Sequence, residues 1–281
     1  MSKYKTLFDT LAKKQEGAFI PFTLVGYPNA DDFLKSIDIM VDAGADALEL
    51  GLPFSDPVAD GPIIQAANVH TLKQGLTSKQ AFALIAEVSQ KYPTLPIGLL
   101  VYGNLVFSGG VQAFYEKAKA AGVSSMLVAD VPSREVAPFK KAAENAGVEQ
   151  VLIAPPNASN DALKTIASLG AGYTYVLGRA GITGTHEAAK IPSLDFIMAL
   201  ETLKAPPLVA GFGFSEPDGV RTAIKAGLKG VISGSAIVKR IPKTGLTSEA
   251  EQDLSSFCKT MKDATVRTSK TLKDKGSFQA A

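Results

Sequence analysis

Ala43-Gly44-Ala45-Asp46-Ala47-Leu48-Glu49-Leu50-Gly51, continued by Leu52-Pro53-Phe54-Ser55-Asp56-Pro57-Val58-Ala59-Asp60-Gly61-Pro62, carries the pattern from which the fold can be read. Ala43-Gly44 reads as a helix end with its glycine cap, and Asp46 to Gly51 alternates as a strand does. In that alternation Glu49 points to the face opposite Leu48 and Leu50. Pro53, Pro57 and Pro62 each lack an amide donor and fix φ, so the stretch is neither central strand nor helix, and it is stiffer than a loop of Gly and Ser. A stiff loop that sets Asp56 and Asp60 just beyond Glu49 suits an active site. An ordinary Asp-Pro loop with turn-capping aspartates accounts for the same residues equally well, so the rest of the chain has to decide.

The same punctuation recurs at Ala121-Gly122-Val123-Ser124, Ala146-Gly147-Val148-Glu149, Leu169-Gly170-Ala171-Gly172 and Ala226-Gly227-Leu228-Lys229-Gly230. Each is a helix end, a glycine and then an apolar strand, which places strands at 46–51, 124–129, 150–154, 173–177 and 230–233. Three more start near Phe19, Pro96 and Pro207. Eight short apolar strands, each followed by an amphipathic segment, predict an α/β fold with a parallel sheet buried on both faces. Closed, it is a single (β/α)8 TIM barrel over residues 1–265, with an extra N-terminal helix, additional helices after strands 2 and 8, and a loose polar tail at 266–281. An open doubly wound sheet is the alternative, because periodicity does not show closure.

Local signals fill in the frame. Tyr4, Leu7, Phe8 and Leu11 share one face of the opening helix, which suits it to close one end of the barrel. Pro21 is an anomaly inside the first strand, at Ala18 to Gly26. Asn29 is the N-cap of a helix carrying Phe33, Leu34, Ile37, Met40 and Val41. Residues 62–92 hold two helices, and 178–192 form a long connection without apolar periodicity, a candidate lid.

Composition narrows the function. Lys plus Arg (29) nearly balances Asp plus Glu (27), and no basic block is present to track nucleic acid. The single cysteine, Cys258, forms no intramolecular disulfide and no cysteine-based zinc site, and His70 and His186 lack ligand spacing, so no metal is expected. No stretch has signal-peptide or membrane-span character, which points to a cytoplasmic protein.

In a barrel the site lies at the carboxyl ends of the strands. There the sequence offers Glu49 and Asp60, then Leu100 and Tyr102, Leu127, Ala129 and Asp130, and Tyr175: an apolar, aromatic mouth with acids, suited to a flat apolar substrate. Tyr175 serves equally as barrel packing. The last two strands end in Gly211-Phe212-Gly213-Phe214-Ser215 and Ile232-Ser233-Gly234-Ser235. Their glycines let backbone amides approach an anion, with Ser235 opening a short helix, and Gly184 of the long loop closes over the same place. Ser215-Glu216-Pro217-Asp218 also matches a capping box. Arg179, beside glycines in that loop, is either a solvated residue or a pin for a closed lid. Asp130-Val131-Pro132 reads as a turn. No serine, cysteine or lysine sits where a covalent mechanism would need it.

Taken in order, Leu48 to Gln65, Gly17-Ala18-Phe19-Ile20-Pro21-Phe22, Asp130-Val131-Pro132, Pro155-Pro156-Asn157, Arg179 to Gly184, Gly211-Phe212-Gly213 and Ile232 to Val238 closely resemble the tryptophan synthase alpha chain family over residues 1–265. The resemblance implies retro-aldol cleavage of indole-3-glycerol phosphate to indole and glyceraldehyde 3-phosphate, without metal or organic cofactor. Glu49 matches the family's general acid/base, and Asp60 the residue that stabilises the indole N–H. Phe22, Leu100, Leu127, Ile153 and Phe212 match the indole pocket, and Tyr175 and Thr183 the substrate-side and lid residues. Gly184, Gly213, Gly234 and Ser235 match the phosphate site, with Gly211 and Ile232 beside them. The resemblance also implies a beta-chain partner in an α2β2 heterotetramer, contacting the loop around Pro53, Asp56 and Pro57. Gly109 and Gly178 stand where many family members carry a larger polar residue. The rival readings are another phosphate-binding barrel enzyme, such as a flavin mononucleotide oxidoreductase, and a non-catalytic barrel that activates a partner.

Overall fold

In the computed structural model of the chain, residues 2–178 and 190–267 are described. The chain opens with α1 (Lys3–Lys14), β1 (Ala18–Leu24), α2 (Ala30–Asp42) and β2 (Leu48–Gly51). It continues through α3 (Pro62–Lys73), α4 (Ser78–Lys91), β3 (Ile97–Val101), α5 (Gly103–Phe107), α6 (Val111–Ala120) and β4 (Ser125–Val128). A 3-10 turn (Ser133–Glu135) leads to α7 (Ala137–Ala146), β5 (Glu149–Gln150), β6 (Leu152–Ala154), α8 (Asn160–Leu169) and β7 (Thr174–Leu177). The last part comprises α9 (Leu194–Thr202), β8 (Leu208–Gly211), α10 (Pro217–Lys225), β9 (Gly230–Ser233), α11 (Ser235–Arg240) and α12 (Ser248–Asp263).

All pairings between these strands are parallel, in the order β5-β4-β3-β2-β1-β9-β8-β7-β6. The two ends of that order, β5 and β6, are consecutive in sequence and separated only by Val151. They are two halves of one stave, so the sheet closes into an eight-stave barrel and the open-sheet alternative falls away. At the break the Gln150 side-chain amide donates to the carbonyls of Met126 (3.2 Å) and Val151 (3.3 Å), and its oxygen accepts from the Tyr115 hydroxyl, while the Val151 amide keeps its backbone bond to Met126 (2.9 Å).

The alternation in β2 sorts the core into two layers. Leu48 and Leu50, both fully buried, face the helices, while Glu49 faces the barrel interior at 2% exposure. On the outer layer α2 contributes Phe33, Ile37 and Met40, each fully buried and each stabilising by about 1.5–3 kcal/mol. Asn29 caps α2 as its sequence predicts, accepting from the Asp32 amide at 3.0 Å, and Gly44 follows the helix at φ +98. Pro21 stays within β1, at the residue opposite Ser233. The expected pair of helices after β2 is present as α3 and α4. The short α5 and the 3-10 turn, absent from the sequence reading, add structure directly after β3 and β4.

Helix α1 closes the amino-terminal end. Tyr4 is 1% exposed, its hydroxyl accepts from Ser125 Oγ at 3.0 Å, and its ring lies 5.4 Å from that of Tyr173. Near the same end Lys262 of α12 clasps the starts of two staves, with Nζ 2.9 Å from both Asp46 and Glu16. Val266 then bridges Glu16 in antiparallel fashion. Of the segment expected to be a tail, residues 268–281 lie outside the described residues.

Candidate active site

Glu49 sits midway along a four-residue strand, with its side chain inside the barrel. Across the interior the Tyr173 hydroxyl donates to Glu49 Oε1 at 2.8 Å. Burial, reinforced by the charge of Asp60, raises the Glu49 carboxyl from 4.5 to about 7 against the opposing effect of the Tyr173 bond. Asp60 is pushed up to about 6, chiefly by burial, while the Tyr102 hydroxyl beside it favours its ionised form. Both acids in this apolar space are thus raised by burial, Glu49 to the higher value, so as pH rises Asp60 gives up its proton before Glu49 does.

The proline loop holds Asp60 in place. Its amide donates to the Pro57 carbonyl (3.0 Å), and its own carbonyl accepts from Gln65 Nε2 of α3 (2.7 Å). Further up the loop the Phe54 amide donates to Asn68 Oδ1 at 2.9 Å, and the Phe54 ring stacks on Tyr102 at 5.2 Å.

Both acids open onto a cleft at the carboxyl ends of the staves. Phe22, Leu100, Leu127, Ile153, Tyr175 and Ile232 form most of its apolar wall, as the sequence led one to expect, and Ala59, Ile64 and Ala129 complete it. Phe212, Gly213, Gly234 and Ser235, from the ends of β8 and β9, also line it. Phe212 and Gly213 both adopt left-handed backbone, at φ +70 and +83, an uncommon state for a phenylalanine and a mark of a functional turn. Ser233 Oγ braces that turn, donating to the Phe214 carbonyl at 2.6 Å. No side chain caps the amino end of α11, which begins at Ser235. Glycine backbone and an uncapped helix start therefore meet at one wall of the cleft, a surface suited to an anion.

Gly211 stands apart from the other candidates. It does not line the cleft: a Cβ there would lie 2.0 Å from Tyr175 Oη, so the missing side chain makes room for the Tyr175 ring. The capping box at Ser215 to Asp218 does not form either. Glu216, not Ser215, is the N-cap of α10; Pro217 occupies the first turn and Glu216 makes no side-chain cap bond. Asp130 lies in a turn, as expected, and its carboxylate accepts from the Gly103 amide at 2.7 Å, holding the start of α5. Pro53 and Pro57 are half-buried and Asp56 is exposed, with its carboxylate bonded to Ser55. A Cβ on Gly178 would lie 1.4 Å from the Lys190 carbonyl, so this chain has no space for a larger residue there. Arg179, Thr183 and Gly184 fall outside the described residues.

Tyr173 was not among the expected site residues. Its signal was available, since Tyr173 and Tyr175 are two apart on one stave and share its inner face. Reading the site only at strand tips hid the residue lying one layer deeper, beneath Glu49.

The family described as Tryptophan synthase alpha chain matches residues 8–266. A tryptophan synthase alpha chain from Shewanella amazonensis is 51% identical over 268 residues, covering 94% of this chain and 100% of the relative. One from Vibrio vulnificus is 50% identical over 271 residues, covering 94% and 99%. Among solved structures, a chain of the tryptophan synthase a2b2 complex from Pyrococcus furiosus superposes with a TM-score of 0.79 at 32% identity, covering 88% of this chain and 98% of that one. The closed barrel, the two buried acids and these likenesses agree: the chain belongs to the tryptophan synthase alpha chain family.

Proposed function

We propose that this tryptophan synthase alpha chain cleaves indole-3-glycerol phosphate in the cleft, with Glu49 as general acid/base and Asp60 stabilising the indole N–H. The reaction, carried out by a carbon-carbon lyase of tryptophan biosynthesis, yields indole and glyceraldehyde 3-phosphate. The observation that carries the residue roles is that both acids open onto one apolar cleft whose wall also includes a glycine turn and a helix start with no side-chain cap.

The chemistry follows from the proton states. Protonated Glu49 gives its proton to C3 of the indole, and positive charge spreads onto the ring nitrogen, where ionised Asp60 stabilises it. The side-chain hydroxyl next to the ring then loses its proton to Glu49 as the carbon-carbon bond breaks. The bonding pair returns to the ring, and the hydroxyl carbon becomes the aldehyde of the second product. The net change moves one proton from oxygen to carbon without a change in electron count, so the chain uses no cofactor of its own. The apolar wall, from Phe22 to Ile232, seats the ring and desolvates Glu49. The backbone around Gly213, Gly234 and Ser235 receives the phosphate.

A beta chain is the partner, as in the Pyrococcus a2b2 complex. The loop around Pro53, Asp56 and Pro57 is its seat, with Val58 of the same loop 68% exposed. No described helix is long and apolar enough to cross a membrane. We place the enzyme in the cytoplasm and take residues 1–265 as one catalytic domain.

Indole release from indole-3-glycerol phosphate tests the roles. Glu49→Gln should lower it at least a thousandfold. Asp60→Asn should lower it by roughly a hundredfold or more while inhibition by glyceraldehyde 3-phosphate is kept. Turnover like that of the natural enzyme in either variant would overturn them.

A further inference from the structure

The geometry points to Asn68 and Gln65, two amide side chains one turn apart on α3, as positioning residues that hold the loop between β2 and α3 at both of its ends and so fix where Asp60 enters the cleft. This rests on the reading that Asp60 faces the indole N–H.

The loop has few means of placing itself. Pro53, Pro57 and Pro62 have no amide to donate. Its interior bonds are short turns, from the Val58 amide to the Asp56 carbonyl (2.8 Å) and from the Asp60 amide to the Pro57 carbonyl (3.0 Å). Turns of this kind set local shape and leave the placement of the whole loop to its frame. At the first end the Phe54 amide donates to Asn68 Oδ1 at 2.9 Å. At the last end the Asp60 carbonyl accepts from Gln65 Nε2 at 2.7 Å, and the Gly61 carbonyl accepts from the Gln65 amide at 2.9 Å. One residue thus grips two consecutive carbonyls, the first of them that of Asp60 itself.

Asn68 is out of place by composition alone. It is 1% exposed inside a helix, where asparagine is a poor former and a buried amide is costly unless both its ends are bonded. Its Nδ2 donates to the Ile64 carbonyl one turn back at 3.0 Å, which turns Oδ1 toward the loop. A carbonyl only accepts and a backbone amide only donates, so the side chain has a single orientation. The hold passes onward through Phe54, whose ring stacks on Tyr102 at 5.2 Å, and Tyr102 Oη accepts from the Ala59 amide at 3.2 Å, next to Asp60. Three residues apart, Gln65 and Asn68 share one face of one rigid helix, so the loop cannot shift against the barrel without losing both bonds. Ala59 and Asp60 line the cleft while Gln65 and Asn68 do not, so the two amides act through the loop and not on the substrate.

The test is a double-mutant cycle on kcat for indole release. Asn68→Leu removes the acceptor and should lower kcat by about tenfold to a hundredfold, the scale of a misplaced catalytic group. Gln65→Met removes a donor on a more exposed residue and should lower it by about threefold to tenfold. In an Asp60→Asn background each change should cost less than about twofold, because the group it positions is already disabled. Asn68→Asp keeps an oxygen for the Phe54 amide and should stay within about threefold of the natural enzyme. Inhibition by inorganic phosphate, whose proposed seat lies at the ends of β8 and β9, should change by less than about twofold throughout. Losses of equal size in the two backgrounds, no loss in either single variant, or phosphate inhibition that weakens in step with kcat would overturn the proposal. Turnover like that of the natural enzyme in Asp60→Asn alone would instead overturn the reading of Asp60. If Asn68→Leu fails to fold, Asn68→Ser replaces it: the hydroxyl can return to the Ile64 carbonyl, as Thr71 does to Ala67, and is too short to reach Phe54. The same coupled loss is expected there, and a loss that persists undiminished beside Asp60→Asn would overturn the proposal.

Discussion

Glu49 is a carboxyl kept where a carboxylate is costly. Its folded value of about 7 lies above the unfolded 4.5, so over that interval the folded chain holds a proton that the unfolded chain has released. Stability contributed by this group is full below about 4.5 and is lost as pH rises to about 7. Glu49→Gln, which cannot ionise, should match the natural protein near pH 4.5 and exceed it by up to about 3 kcal/mol at pH 8. Urea unfolding at the two pH values checks this, and a Glu49→Gln chain less stable at pH 8 would contradict it. Tyr173→Phe removes the donor that favours the ionised form, so the basic limb of the rate profile, set by loss of the Glu49 proton, should move to higher pH. A limb left in place would assign Tyr173 to packing alone.

At the scale of elements, the turn after β8 shows how two glycines one residue apart serve different ends. Gly213→Ala places a side chain at φ +83 on the wall of the cleft, at a cost of about 1 kcal/mol in stability. On the proposed phosphate seat its larger effect should be a KM raised at least tenfold, read from initial rates. Gly211→Ala drives a methyl into the Tyr175 ring and should cost about 1–3 kcal/mol in urea unfolding. The sequence could not separate the two, since a glycine that receives a ligand and a glycine that yields to a neighbouring ring look alike in a string of letters. The same limit hid Tyr173, which differs from Tyr175 only in depth along the stave. It also hid the interruption of the fifth stave at Val151 and the displacement of the expected Ser215 cap by Pro217. The repeating helix end, glycine and apolar run was legible, because both features depend on short-range backbone preference.

For the whole molecule, the alternation in the sequence sets Glu49 on the face opposite Leu48 and Leu50, and closure of the sheet makes that face the barrel interior. Closure was not legible, because it depends on β5 and β6 lying at opposite ends of one strand order. Helix α1 matters at this scale, for Tyr4 plugs the end of the barrel beneath Tyr173 and Glu49. Tyr4→Ala should cost about 3–5 kcal/mol in urea unfolding and admit water below Glu49, lowering its proton affinity. The central claim is a division of proton occupancy between two acids over one apolar cleft. Carboxyl carbon-13 NMR titration of the free protein, assigned with Glu49→Gln and Asp60→Asn, measures it directly. The predicted result is Asp60 titrating near 6 and Glu49 near 7, with Glu49 falling when Asp60 is neutralised; both acids titrating near 4 would contradict it.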